Sequence, residues 1–466
     1  MLMENKLNGE SFDIVEYNIS KLKELFPEIV TGDNEVDIAA LIDIFKKNGD
    51  GTVDDSEEHY QFNWWGKKKS KRKAKETTTK TLRPVKKDSK NWDTTQNIYI
   101  EGDNLDALKI LLKSYTNKIK MIYIDPPYNT GKDFVYKDNL TQTIQEHLES
   151  TEQLSEEGFL FENTKTNGKY HSNWLNMIYP RLRLARNLLS ENGCILISID
   201  DNENVDLKKI CDEIFGEENF VSQLIWKSKT GGANDSKFVA IDHEYILVYA
   251  KRIDKFEVNS LPYTDELLRL YNSKDEYFET RDPYRPMLLM QKGLSFSKSL
   301  TYPIEAPDGT ILYPDEGGAI WRWSEPVLKK RIEEGYVEFV KKGNEWKIYT
   351  KQYLNVDYDG NKINRGKLLR SVISDIDGRK GIKDIQKLFD EKVFTNPKPT
   401  DLIKLFISVF SNKNDLIMDF FSGSATTAQA MFKVNEDENS NRNFILIQIP
   451  ELILSDKDIL DLKKYL

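Results

Sequence analysis

The stretch "KIKMIYIDPPYNT", residues 118–130, sets an apolar run directly against an acid, two prolines and an aromatic ring. Met121 to Ile124 read as a short buried strand, and Pro126 and Pro127 forbid its continuation because neither can donate to a strand ladder. Asp125 is thereby delivered to the carboxyl end of a strand, the edge at which open α/β sheets bind ligands. A carboxylate followed by a stiff carbonyl, Asp125 and Pro126, could accept the two hydrogens of an exocyclic amino nitrogen. That would favour a more tetrahedral nitrogen and stabilise the positive charge that grows as it attacks a methyl donor. Pro127 adds stiffness, and Tyr128 offers a face on which a flipped base could stack.

A second stretch, "DLIMDFFSGSATTAQAMF", places a strand before the small residues Ser422 to Ser424 and a helix opening near Ala425. Small residues let backbone N–H groups approach a nucleotide-like ligand, and a helix N-terminus adds positive partial charge. About 28 residues on, "NFILIQIPE" ends another apolar strand in Glu451, placed like the acids that bond ribose hydroxyls; a solvent-facing glutamate is the plain alternative. "YNTGKDF" is no phosphate loop, since no glycine stands at the required distance before Lys132.

These stretches must be positioned by a sheet. From residue 97 to 252 apolar strands alternate with amphipathic helices, the signature of a parallel α/β sheet. Residues 253–390, rich in Tyr, Arg and Lys and irregular in period, break the alternation, and it resumes over 391–466. One sheet interrupted by an inserted domain is the expectation. Residues 1–60 predict a small helical region. Within it "KKNGDGTVDDSEE" has calcium-loop spacing from Asn48 to Glu57, but Lys46 stands where the first carboxylate belongs, which favours a plain acidic turn. Residues 61–96 predict a basic linker or arm, because seven of the nine residues from Lys67 to Lys75 are basic. A solvated linker and a phosphate-contacting arm remain equal readings, with Trp64 and Trp65 expected to pack on the main body.

Composition narrows the class. With 466 residues, 39% hydrophobic and 31% charged, the chain can bury a core of two or three domains. No apolar run near 18 residues and no signal-peptide order at the start predict a cytoplasmic protein without membrane contact. Two cysteines and four histidines exclude a disulfide framework and a Cys/His zinc site, and no metal is expected. The formal charge of −9 confines any nucleic-acid contact to patches.

"DPPY" together with "DFFSGSATT", in that order and with an insert between them, resembles the permuted β-class of DNA amino-methyltransferases. "TLRP", "IYIEGDNLDALKILLKSY", "WLNMIYPRLRLARNLLSENGCILISIDDNE" and "FILIQIPE" narrow the resemblance to modification subunits of type III restriction-modification systems, over about residues 60–451. It implies a circularly permuted, Rossmann-like S-adenosylmethionine-dependent sheet with a target-recognition insert, transferring methyl to adenine N6 of duplex DNA. It implies Asp125, Pro126, Pro127 and Tyr128 as catalytic, and Asp103, Lys398, Asp419, Phe421, Gly423 and Glu451 as cofactor-binding. It further implies a homodimer, a helicase-nuclease restriction partner and a C-terminal segment beyond Leu466. Where the family reads FSGSGTT this chain has Ala425, costly if the position needs positive φ and harmless if it lies in the helix. A DNA-recognition subunit with weak or lost transfer is the rival reading, and methylation of protein or RNA a third.

Overall fold

The computed structural model describes residues 62–131, 170–229, 238–292, 297–315, 317–363, 365–389 and 393–450, with shorter pieces among 11–51 and at 134–136, 160–162 and 231. Contacts divide the chain into two compact units, Met1–Asn259 with Arg370–Leu466, and Ser260–Leu369.

The first unit is built on a sheet of eight strands: β1 (Ile98–Glu101), β2 (Ile119–Ile124), β3 (Leu189–Ile199), β4 (Phe220–Lys227), β5 (His243–Ala250), β6 (Val372–Ile373), β7 (Leu416–Asp419) and β8 (Asn443–Gln448). Their spatial order is β6-β4-β5-β3-β2-β7-β8-β1. All neighbours are parallel except β5, which runs antiparallel to both β3 and β4. The C-terminal strands β7 and β8 thus slot between β2 and β1, the spatial meaning of the permuted order.

All six residues of β2 are buried, as expected of a central parallel strand covered on both faces. Ile122 and Ile124 face a core shared with α1 (Asn104–Tyr115), α2 (Tyr170–Leu188) and α3 (Asn204–Phe215). Tyr123 points the other way, its ring 6.1 Å from Phe406 of α4 (Thr400–Phe410), which packs beside α5 (Thr426–Glu438). Each large apolar side chain so covered contributes about 1.5–3 kcal/mol. In register Met418 lies opposite Ile122, so β2 and β7 deliver Asp125 and Asp419 to the same edge.

The second unit holds a three-stranded antiparallel sheet in which Glu345–Tyr353 lies between Tyr284–Leu288 and Val337–Lys342. Small cores around Trp321 and around Tyr336 and Tyr353 close it.

Two expected boundaries shift. The 253–390 insert is narrower as a compact unit, because Val372 and Ile373 pair with Ile225 and Trp226 and so tie residues after 370 to the main sheet. The basic stretch expected to be a linker or arm contains a helix, Lys67–Lys73, held against α2 by hydrogen bonds through Asn176. Of the calcium-like stretch, Lys46–Lys47 pairs antiparallel with Asp50–Gly51, and the remainder lies outside the described residues.

Candidate active site

Asp125 leaves β2 into a turn that the protein holds by its carbonyls. Trp174 Nε1 donates to the Pro127 carbonyl at 2.7 Å, and the Tyr170 hydroxyl donates to the Asn129 carbonyl. Asn129 has φ +57°, a left-handed conformation that asparagine tolerates better than most side chains. Its Nδ2 donates to Glu203 Oε1 at 2.5 Å, an oxygen that also meets His171 Nδ1 at 2.6 Å. Glu203 is 1% exposed; burial pushes its carboxyl up to about 7, against the lowering by Asn129 and His171. The turn is thereby fixed just after Pro126, at Pro127 and Asn129. Among the described residues no donor reaches the Pro126 carbonyl, which stays available beside the acid.

The acid itself is paired. Lys398 Nζ stands 2.7 and 2.8 Å from the two oxygens of Asp125, with side-chain exposures of 13% and 24%. The same ammonium lies 3.5 Å from Glu244 Oε2, which accepts the Tyr128 hydroxyl at 2.9 Å, and 4.8 Å from the centre of the Tyr128 ring. Burial pushes the Asp125 carboxyl up from its ordinary value, opposed by Lys398. Burial works to lower the Lys398 ammonium, but Asp125 and Glu244 outweigh it and raise it. Two carboxylates around one ammonium leave the cluster one negative charge in excess. That excess suits a site where positive charge develops.

The neighbouring loop after β7 has the features expected of a nucleotide cradle. Asp419 accepts the Phe421 N–H at 3.0 Å and the Thr427 hydroxyl at 2.6 Å, and burial pushes its carboxyl up to about 7. Gly423 has φ +48°, and its N–H donates to Gln448 Oε1 at 2.8 Å. Ser422 Oγ is buried and has no partner among the described residues, a polar atom left for a ligand. Asp103 caps α1 through the Asp106 N–H and meets Arg181 Nη2 at 3.2 Å. The groups therefore fit a polar, adenosine-bearing cofactor. Glu451 lies outside the described residues. Lys398, expected among the cofactor-binding residues, pairs with Asp125.

Ala425 settles as a strained position. It precedes Thr426 at φ +60°, ψ +29°, a left-handed conformation costing a non-glycine residue about 1 kcal/mol or more. Ala425→Gly is expected to stabilise the fold by a few tenths to about 1 kcal/mol, the relief being partly offset by the freer unfolded chain. Urea denaturation of the two proteins measures it. A variant less stable than wild type would show that the left-handed conformation is not populated in solution.

Residues 119–455 match a protein-family model described as DNA methylase, N6_N4_Mtase. The chain belongs to this DNA methylase family. It is 34% identical to the Mod subunit of the type III restriction-modification enzyme StyLTI of Salmonella typhimurium, over 97% of this chain and 69% of the relative. Against the EcoPI Mod subunit of Escherichia phage P1 the identity is 32%, over 94% and 71%. Among solved structures, the PvuII DNA methyltransferase (cytosine-N4-specific) shares 12% identity with a TM-score of 0.37, covering 80% of this chain and 93% of that one.

For a DNA methylase the site contains more than sequence reasoning assembled. Glu244, Glu203, Trp174 and Arg181 were not anticipated. Only the "HEYILVYA" opening offered a signal, an acid placed just ahead of an apolar strand as Asp125 is placed just after one.

Proposed function

We propose that this methylase transfers a methyl group from S-adenosylmethionine to adenine N6 in duplex DNA, as the modification subunit of a type III restriction-modification system. The observation that carries the reading is the Asp125 carboxylate followed by the Pro126 carbonyl, which meets no donor among the described residues, in a turn held at Pro127 and Asn129. When bound, S-adenosylmethionine supplies a methyl group on a positively charged sulfur. Asp103, Asp419, Phe421 and Gly423 would hold it, with Ser422 as an additional donor.

The flipped adenine stacks on Tyr128, whose hydroxyl Glu244 fixes. Its amino hydrogens are accepted by Asp125 and by the Pro126 carbonyl. For one Asp125 oxygen to become free, Lys398 shifts toward Glu244, already 3.5 Å away. Positive charge then grows on the nitrogen next to a carboxylate that has lost part of its counter-ion, which is differential stabilisation of the transition state. As the nitrogen gains its methyl it releases one proton, for which Asp125 is the nearest base.

The 260–369 unit carries choice of target sequence. A second copy and a restriction subunit complete the assembly in the cytoplasm. Among the described residues no helix is long and apolar enough to cross a membrane. The rival reading, recognition without efficient transfer, rests on Ala425, whose strain is small beside the intact Asp125 site. Mass spectrometry of digested duplex after incubation with the donor tests the proposal: N6-methyladenine is expected. N4-methylcytosine alone, or no methylated base while cofactor binds, overturns it.

A further inference from the structure

The basic segment is not a solvated tether. Gly66 enters it at φ +99°, where a Cβ would lie 2.5 Å from Asn176 Nδ2, so glycine alone permits the approach to α2. Asn176 then ties three points of the segment: its Oδ1 accepts from Trp64 Nε1 at 2.8 Å and from Ser70 Oγ at 2.7 Å, and its Nδ2 donates to the Trp65 carbonyl at 3.0 Å. Trp64 packs its ring 5.4 Å from Tyr179. Lys67 and Lys71 reach Glu213 of α3 at 2.7 and 2.8 Å, and further on Lys80 reaches Asp106 of α1 at 2.6 Å. Two helices of the methylase body, α2 and α3, thus hold one short basic helix, and α1 holds the segment that follows it.

The helical period sorts its charges. Lys67, Ser70, Lys71 and Ala74 form the row toward the body, where Lys67 and Lys71 share the one carboxylate of Glu213. Lys68 and Arg72, at i and i+4, with Lys75 in the turn just past the helix end, form an outward row; all three are exposed and have no carboxylate partner among the described residues. At 1.5 Å per residue the row spans about 10 Å, the axial length over which one DNA strand presents about three phosphates. Along α2 the row lies level with the turn at Asp125: Asn176 follows by two residues the Trp174 that holds that turn, an advance of about 3 Å along the axis and about 200° around it, so the row is on another face of the helix. Asp106, which anchors Lys80, lies in the first turn of α1 beside Asp103.

A pre-ordered positive row on a chain of net charge −9 is complementary to a polyanion. We propose that Lys68, Arg72 and Lys75 form a sequence-independent clamp on backbone phosphates of the duplex being methylated. The inference rests on the reading of duplex DNA as substrate and adds the surface that holds it.

The test is the full-length triple variant Lys68→Gln, Arg72→Gln, Lys75→Gln, with a charge-retaining triple (Lys68→Arg, Arg72→Lys, Lys75→Arg) as control. Fluorescence anisotropy of labelled duplexes, one methylated by wild type and one not, is followed from about 50 to 200 mM salt. Neutralisation is expected to reduce the slope of log affinity against log salt by about 2 to 3 on both duplexes. Turnover at saturating DNA and cofactor affinity stay at wild-type values, and the charge-retaining triple keeps the wild-type slope. An unchanged slope, or a loss confined to the methylated duplex, overturns the clamp and leaves an acidic protein surface as the occupant of the row. Methylation by wild type with no slope change sinks this inference alone. Absent methylation with the expected slope change sinks the functional reading and supports the clamp.

Discussion

Asp125→Ala lowers turnover on duplex DNA by a factor on the order of 10² to 10³ at saturating DNA and cofactor, while cofactor affinity changes little. That factor corresponds to roughly 2.7–4 kcal/mol, the scale measured for removing one preorganised group aimed at developing charge. The asymmetry follows from what the carboxylate does in each state. In the resting site it is occupied by Lys398 on both oxygens, so it contributes nothing to holding substrate until the ammonium shifts toward Glu244. Its effect is realised as the amino nitrogen becomes positive, and losing a contact made only then lowers kcat and kcat/KM together.

Asp125→Asn separates charge from shape. It keeps an acceptor oxygen, but the cluster of Asp125, Lys398 and Glu244 passes from an excess negative charge to neutrality. Turnover is therefore expected to fall nearly as far as in the alanine variant. Lys398→Met makes the complementary change: burial without the ammonium drives the Asp125 carboxyl further up, so the acid limb of the pH-rate profile moves to higher pH. Equal turnover in wild type and Asp125→Ala would mean that the acid merely ends a strand.

How much of this could be read from sequence depends on which contacts are local. The turn after β2 was legible because Asp125 to Tyr128 are four consecutive residues, and two prolines mark the strand end. The alternation of β1, α1, β2, α2 and β3 was legible for a similar reason: each apolar run is long enough to show its period and is bounded by turn residues. β6 was not, since two residues carry no period, and with it the end of the inserted unit was misplaced. The direction of β5 was equally hidden. "EYILVYA" reads as a buried strand either way, and only antiparallel pairing with β3 and β4 turns its amino end, with Glu244, toward the edge where Asp125 stands. Lys398 lies 273 residues from the acid it pairs with, and no spacing rule spans that distance.

Arg181 shows the same limit and produces the larger stability effect. In "YPRLRLARN" it reads as one more solvent-facing cation of an amphipathic helix. In the fold it is 0% exposed, donating from Nε to Asn104 Oδ1 at 2.5 Å and from Nη1 to the Met177 carbonyl at 2.6 Å, with Nη2 3.2 Å from Asp103. Asn104 in turn donates to the Phe420 carbonyl at 2.7 Å, so a single guanidinium joins α2, the cap of α1 and the loop after β7. Removing one member of a buried charged network leaves the others desolvated and unpaired, at a cost of about 3–5 kcal/mol. Arg181→Ala is expected to lose that much, a fall in melting temperature of roughly 6 °C or more for a body of this size. Arg181→Met refills most of the volume without restoring a donor, so it should recover only the smaller share due to the cavity. Arg181→Lys keeps the charge but its compact ammonium cannot span the positions that the planar guanidinium reaches, and should fall between. Because Asp103 would then lose its anchor, cofactor affinity should drop in Arg181→Met while it holds in Asp125→Ala. A melting temperature for Arg181→Ala within about 2 °C of wild type, with cofactor affinity unchanged, would show that the α1 cap and the β7 loop are held by packing alone.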